Sequence, residues 1–359
     1  MSEDPANDGV GCACPVPFGD HPRVVLGHGG GGALTAELVA QVFRRAFANP
    51  VLDRLGDAAV LDVAAALAGG GRLAFATDAH VVRPLVFPGG SIGDLAVNGT
   101  VNDLAVSGAR PLFLAAGFIV EEGFPVGELA AIADAMGAAA RRAGVVIVAG
   151  DTKVVERGKG DGCYVTTAGV GVVPPGVDLS PAAVRPGDAV IASGTLGDHG
   201  MAIMSARESL GFEAEITSDT APLHGLVAGI LAACPATRML RDPTRGGAAA
   251  SLNEIAQAAA VGIEIDEATV PVRPAVAAAC ELLGLDPLQV ASEGTLLAIV
   301  PADAAGAVLD AMRTRPEGRD AVVIGRVVTD HPRLVAMRTR IGGRRVVPMP
   351  LGENLPRIC

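Results

Sequence analysis

Tryptophan is absent from this chain, tyrosine occurs once, and aromatic residues make up only 3% of it. So few rings offer few platforms for stacking unpaired bases, and any core must be built from Ala, Val, Leu and Ile. Positive charge is also short: 28 Lys and Arg stand against 39 Asp and Glu, for a net charge of −11. That sign argues against general nucleic-acid or anionic-membrane binding. A nucleotide is still admissible, because magnesium can mediate between carboxylates and phosphates. No apolar run approaches the roughly 20 residues needed to span a bilayer. The opening residues 1–10 are polar and acidic, unlike a secretory signal, so the cytoplasm is the expected compartment. Six cysteines are spread thinly, at 12, 14, 163, 234, 280 and 359, and a cytoplasmic chain of this size has no need of disulfides. Cys12 and Cys14 are too close together for an ordinary metal knuckle and have no partner pair.

Half of the 359 residues are hydrophobic, enough for two cores rather than one. Residues 1–23 read as an extended arm. Strand-like runs follow at 58–63, 72–77, 111–120, 145–148 and 164–173, with helical patterns from Thr35 to about Ala48 and over 92–108 and 127–143. Alternating strands and helices indicate a layered α/β domain over 24–173. The Pro- and Gly-rich stretch 174–188 reads as a linker. A second α/β set occupies 189–341, with strands near 189–193, 262–265, 294–300 and 321–328. Its helices are expected near 201–210, 225–233, 248–260, 275–283 and 304–313. Residues 342–359 read as a flexible tail ending in Cys359.

The chemistry-bearing residues begin with carboxylates next to strands. Asp57 precedes one run, Asp78 closes another, and Asp151 closes a third, with Lys153 two residues on. Carboxylates on one rim of a sheet form the hard oxygen cluster that magnesium and phosphate require. Each aspartate alone is better read as an ordinary Asx turn; the three together, with the helix at 92–108, favour the metal–phosphate reading. On the helix at 92–108, Asp94, Asn98 and Asn102 recur at i, i+4 and i+8 and so share one face, with Asp103 beside them. A polar stripe on a buried helix must be satisfied, by a metal–nucleotide or by a network between helices. The run Gly29–Gly32 before a helix start can cradle phosphate or simply be a loop; it is neither a Walker A motif nor a dinucleotide fingerprint. Arg245, in Arg241-Asp242-Pro243-Thr244-Arg245-Gly246-Gly247, can grip phosphate with its guanidinium fork or make a surface ion pair. His199 is an acid–base candidate or a structural histidine. Glu293 is a candidate base or an exposed turn residue.

Taken in order, several segments resemble the HypE family, the carbamoyl dehydratases of nickel–iron hydrogenase maturation. They are Val82-Arg83-Pro84-Leu85-Val86-Phe87-Pro88-Gly89-Gly90, Val97-Asn98-Gly99-Thr100-Val101-Asn102-Asp103-Leu104-Ala105 and Gly150-Asp151-Thr152-Lys153. Gly194-Thr195-Leu196-Gly197-Asp198-His199-Gly200, Asp242-Pro243-Thr244-Arg245-Gly246-Gly247 and the ending Pro356-Arg357-Ile358-Cys359 complete the set. The resemblance runs from about Val24 onward. It implies a two-domain aminoimidazole-ribotide-synthetase-like α/β fold, with N-terminal domains pairing in a homodimer and ATP in an acidic cleft. By the same resemblance Asp57, Asp78, Asp103 and Asp151 would hold magnesium and ATP. Lys153 would neutralise phosphate or steer the reacting oxygen, Glu293 would be the base, and Cys359 would carry the substrate. The implied partners are the carbamoyltransferase HypF and a HypC–HypD scaffold that takes the cyano group onto iron. Two rival readings stand beside it. A small-molecule kinase or synthetase of the thiamine-phosphate or selenophosphate type would need no tethered thiol; a nucleotide-sensing scaffold would bind ATP without turnover.

Overall fold

The computed structural model describes residues 21–56, 58–208, 216–352, 355 and 357–359. Most of the expected arm, with Cys12 and Cys14, and Asp57 lie outside the described residues. In the first domain α1 (Ala33–Leu38) runs through a π-helical turn (Val39–Arg44) into α2 (Arg45–Phe47), and α3 (Ala64–Leu67) follows an irregular stretch. Residues 58–63, expected as a strand, carry none; none of them is buried and alternate ones are exposed, so no sheet neighbour rewards an extended pairing.

The first sheet has the order β1-β6-β4-β5, from β1 (Arg72–His80), β4 (Arg110–Glu121), β5 (Val146–Val155) and β6 (Cys163–Val173). A small hairpin, β2 (Val86–Phe87) and β3 (Gly90–Ser91), leads into α4 (Ile92–Val106). Parallel β4 and β5 are joined through α5 (Val126–Ala143), as parallel pairing requires. Helix α4 is capped by Ser91, whose hydroxyl oxygen accepts from the Asp94 N–H. It is buried nearly all round because β1 and β6 cover one side and α5 and the second domain the others. A Cβ added at Gly93 would stand 2.3 Å from the Ile132 carbonyl oxygen, so α4 and α5 approach this closely only because that residue is glycine. Leu95, Leu129 and Met136 fill the contact at 0% exposure, each stabilising the fold by roughly 1.5–3 kcal/mol.

The second sheet has the order β13-β12-β9-β11-β7-β10-β8. Its strands are β7 (Ala189–Ala192), β8 (Met239–Arg241), β9 (Gly262–Asp266), β10 (Leu297–Val300), β11 (Val322–Val328), β12 (Val335–Arg338) and β13 (Arg344–Val346). Central β7 and β10 are buried along their whole length, which explains their unbroken apolar sequences. Helix α8 (Gly247–Ala259) packs on one face; α7 (His224–Ala233) and α10 (Ala305–Arg313) pack on the other. Helices α6 (Asp198–Arg207) and α9 (Pro274–Leu283) instead join the core of the first domain. The sequence reading missed β8 and β13 at the two edges of this sheet and β12 beside β13, which have neither the length to show a period nor the unbroken apolar run that marks β7 and β10. The final segment is docked rather than loose: Leu355 and Ile358 are buried in the core of the first domain. Among the described residues no helix is long and apolar enough to cross a membrane.

Candidate functional site

The two domains enclose a cleft of about 450 Å³ whose walls include Asp78, Asp103, Asp242, Arg245, Glu293 and Cys359. Its volume is in the range of small-molecule sites. Asp78 comes from β1, Asp103 from α4, and Asp242 and Arg245 from the β8–α8 turn. Glu293 comes from the approach to β10, and Cys359 from the tail. The structure therefore brings Asp78, Asp103, Arg245, Glu293 and Cys359 together from stretches far apart in the chain.

Electrostatically the cleft is an under-compensated cluster of acids. Burial, then the charges of Asp242 and Asp78, push the Asp103 carboxyl up to about 7, against the opposing pull of Arg241 and Arg245. Glu293 is buried at 3% exposure. Burial, followed by Asp242, Asp219, Asp78 and Asp103, raises its carboxyl well above the usual range. Asp242 is raised chiefly by burial. His80, two residues along β1 from Asp78, is 2% exposed. Its Nε2 lies 3.4 Å from Asp78 Oδ2, yet neither ring nitrogen makes a hydrogen bond of acceptable geometry. Burial lowers its pKa, so the contact is a weak one to a neutral ring. A Cβ at Gly99 would stand 2.9 Å from Asp78 Oδ2 and 3.0 Å from His80 Cε1; glycine there leaves the carboxylate its place.

These features fit a divalent cation bound together with a polyphosphate. Buried carboxylates that repel one another are stabilised by positive charge. Among the described residues no three His, Cys, Asp or Glu side chains form a ready-made metal cage. Magnesium needs none, since it takes one or two carboxylates and completes its shell with water and phosphate. Asp78 and Asp103 could hold such an ion, with Arg245 on the same cleft wall.

Other expected residues lie elsewhere. Asp94 pairs with Arg142 at 2.9 Å and accepts from the Ser91 hydroxyl at 2.8 Å. Asn98 Nδ2 donates to Thr220 Oγ1 at 3.1 Å. Asn102 donates to the carbonyls of Ala221 (3.0 Å) and Glu293 (3.1 Å) and accepts from the Leu223 N–H (2.7 Å). The polar stripe expected to bind a nucleotide thus bonds largely to protein, the buried Asn98 Oδ1 being left without a partner, and from Asn98 onward it sews α4 to the second domain. Asp151 and Lys153 are also displaced from the expectation: they lie inside β5, not beyond its end. Pairing sets Asp151 opposite Gly117, and Gly117 opposite Thr166, which pairs with Ala79. Asp78 pairs with Thr167. Side chains alternate along a strand, so Asp151 and Lys153 occupy the open face of the sheet and Asp78 the face covered by α4. Lys153 Nζ stands 3.7 Å from Asp151 Oδ2, and both side chains are largely exposed, at 67% and 75%.

Sequence reasoning missed Asp242, Asp219 and His80 as site residues. Asp242 stood in the Asp-Pro-Thr-Arg motif, and His80 shares the strand face of Asp78 by the i, i+2 rule; Asp219 left no local signal.

The tail enters the cleft by pairing with residues 81–83. Val81 N–H donates to the Cys359 carbonyl at 3.2 Å, and Arg83 N–H to the Arg357 carbonyl at 3.1 Å. The Arg207 guanidinium donates to that same Arg357 carbonyl at 2.6 Å, and Arg357 pairs with Asp161.

This two-domain α/β chain with its acidic interdomain cleft is an AIR synthase related protein by its match to both domains of that family. The N-terminal domain of that family matches residues 55–173 and its C-terminal domain residues 185–336. Within that class the chain belongs to the HypE family. The carbamoyl dehydratase HypE of Azotobacter vinelandii is 56% identical over 336 residues, 94% of this chain and 97% of that protein. A crystal structure of the hydrogenase maturation protein HypE in complex with ATP superposes with a TM-score of 0.89 at 44% identity, covering 93% of this chain and 99% of the other. The chain in a HypE–HypF complex gives 0.76 at 47% identity, covering 89% and 100%.

Proposed function

We propose that this chain is an ATP-dependent carbamoyl dehydratase that converts a carbamoyl group on the Cys359 sulfur into a cyano group for the iron of a nickel–iron hydrogenase. The observation that carries this reading is the seating of Cys359 in the same buried acidic cleft as Glu293, Asp78, Asp103 and Arg245. A diffusible substrate would need no thiol there, which disfavours the small-molecule kinase alternative. The S–C(=O)–NH2 oxygen cannot leave as hydroxide at a useful rate. Transfer of the ATP γ-phosphoryl group to that oxygen releases ADP and lets the oxygen depart as phosphate. The C–O bond breaks as two N–H protons are lost and the S–C≡N group forms; one proton balances the phosphate and one goes to solvent. Bound magnesium would supply charge neutralisation on the polyphosphate, held by Asp78 and Asp103. Arg245 grips phosphate, and Glu293 is the base placed to take a proton from nitrogen.

The open face of the first sheet carries Leu73 and Phe75, exposed at 58% and 72%, with Ile119 at 40%. A second copy covering this apolar patch forms the homodimer. It also buries Asp151 and Lys153, which lie on the same face; a role for Lys153 in neutralising phosphate or steering the reacting oxygen would require the nucleotide to extend between the two copies, across the sheet from Asp78. Phe75→Asp is expected to convert a dimer to a monomer in analytical ultracentrifugation and to lower ATP turnover at least tenfold; a dimer with full turnover would remove this part of the reading. The protein acts in the cytoplasm, where thiols stay reduced, with a carbamoyltransferase of the HypF kind loading Cys359 and a HypC–HypD scaffold accepting the cyano group.

The deciding measurement is intact mass after incubation with carbamoyl phosphate, ATP and the transferase. The expected product is a carbamoyl adduct that loses the mass of one water only when ATP is present, and that is missing altogether in Cys359→Ala. ATP hydrolysis without any adduct would favour the kinase.

A further inference from the structure

Residues 216–223, between α6 and α7, contain no motif, yet three consecutive side chains among them reach three functional parts of the molecule. Ser218 Oγ lies 2.7 Å from His199 Nδ1, and His199 Nε2 lies 2.6 Å from the Ile358 carbonyl oxygen. A carbonyl can only accept, so Nε2 carries the hydrogen and Nδ1 accepts from the Ser218 hydroxyl. Ser218 Oγ accepts in turn from the Thr220 N–H at 3.1 Å, and Thr220 Oγ1 accepts from Asn98 on α4. Asp219, between them, accepts from the Glu293 N–H (3.1 Å) through Oδ1 and from the Gly294 N–H (3.0 Å) through Oδ2. A Cβ at Gly294 would stand 1.7 Å from the Asp219 carbonyl oxygen, so strap and Glu293 loop are in backbone contact. His199 is completely buried, with the Phe87 ring packed edge-on at 5.5 Å. Its ring is therefore held in one orientation, with its N–H aimed at the peptide group that precedes Cys359.

We propose that Ser218, Asp219 and Thr220 form a positioning strap that sets the carrier cysteine against the base: Ser218 aims His199 at the tail, and Asp219 fixes the backbone of Glu293. This rests on the reading of Cys359 as carrier and Glu293 as base. Cys359 is partly enclosed in the cleft, and a separate protein that loads it must reach the sulfur, so the tail undocks for loading and docks for dehydration. A bond between a neutral imidazole and a peptide carbonyl suits that cycle, because its net strength is small enough to be broken each turn. Burial lowers the His199 pKa to about 4, and the latch stays neutral throughout the working range.

The test uses the full-length, unmodified chain and compares alkylation of Cys359 by iodoacetamide, followed by mass of the C-terminal peptide. Ser218→Ala and His199→Leu should each speed alkylation of Cys359 about tenfold. They should leave transferase-dependent loading as fast or faster, and slow ATP-driven dehydration by a comparable factor. His199→Gln, which keeps an N–H donor toward the Ile358 carbonyl, should bring both alkylation and dehydration part of the way back to the parent rates, a result that a merely structural histidine would not produce. Asp219→Asn should slow dehydration while leaving alkylation at the parent rate. Ser218→Ala removes one oxygen from a part-exposed residue and keeps the test open if His199→Leu does not fold. Parent-rate alkylation in both Ser218→Ala and His199→Leu overturns the latch. Because alkylation needs neither carbamoyl phosphate nor ATP, that failure is distinct from a failure of the dehydratase reading.

Discussion

Glu293→Gln is expected to leave the carbamoyl adduct on Cys359 intact and to slow its conversion by about 10²-fold or more, the usual contribution of a positioned base. The substitution keeps the shape of the side chain and the two backbone hydrogen bonds that hold residue 293, from its N–H to Asp219 and from Asn102 to its carbonyl. Loading and nucleotide binding should therefore survive, and the loss should fall on the dehydration step. The pH profile gives an independent readout. A base works deprotonated, so the rate rises with pH through the pKa of the group. For Glu293 that pKa lies well above the ordinary carboxylate range, because burial and then the Asp242, Asp219, Asp78 and Asp103 charges favour the protonated form. The acid limb should consequently sit at higher pH than a solvent-exposed glutamate would give. It should move down as magnesium is raised, since a cation on Asp78 and Asp103 offsets their repulsion. Dehydration at the parent rate in Glu293→Gln would remove Glu293 from the chemistry.

Asp103→Asn should stabilise the nucleotide-free protein while weakening magnesium–ATP binding at least tenfold. The Asp103 carboxyl has a folded pKa of about 7, against an ordinary value of 3.8. Between those values the folded protein binds a proton that the unfolded chain has released. Stability contributed through this group is therefore fully present at pH below about 4 and is lost progressively as pH rises to about 7. Above that pH the cost of ionising Asp103 in the fold is on the order of 4 kcal/mol, the rise from 3.8 to about 7 counting about 1.4 kcal/mol for each pH unit. Removing the charge should raise the apo unfolding midpoint at pH 8 by several degrees, with little change near pH 4. Addition of magnesium–ATP should raise the midpoint of the parent and leave that of the variant nearly unmoved. A variant less stable than the parent at pH 8, yet fully able to bind the nucleotide, would show that Asp103 is a structural carboxyl. Such a trade, stability given up for an ion site, is common where buried charges serve function.

The largest helices were legible from composition and spacing. The run 92–108 corresponds to α4, and 127–143 to α5, within two residues at each end. The apolar runs of the second domain mark central strands because strands buried on both faces carry no polar alternation. The polar stripe Asp94, Asn98 and Asn102 was visible as a stripe that had to be satisfied. What Asn98 Nδ2 and Asn102 bond to was not visible, because the partners Thr220, Ala221 and Leu223 are over a hundred positions away and form no pattern of their own. Cys359 was noticed by its position and its motif. Its seat beside Glu293 depends on the burial of Leu355 and Ile358, two apolar residues in a Pro- and Gly-bearing stretch that reads as loose chain.

By itself the sequence determined the two-domain α/β plan, the family, and the acidic, thiol-bearing character of the site, because these follow from residue type and local period. Only the tertiary structure decided which carboxylates share a cleft. Asp78 and Asp151 both belong to strands of one sheet, but the pairing of those strands, with a shift between Leu114 and Ala115, puts them on opposite faces. A one-residue change of register would reverse that assignment, and register is set by contacts across the sheet rather than by the order of residues along either strand.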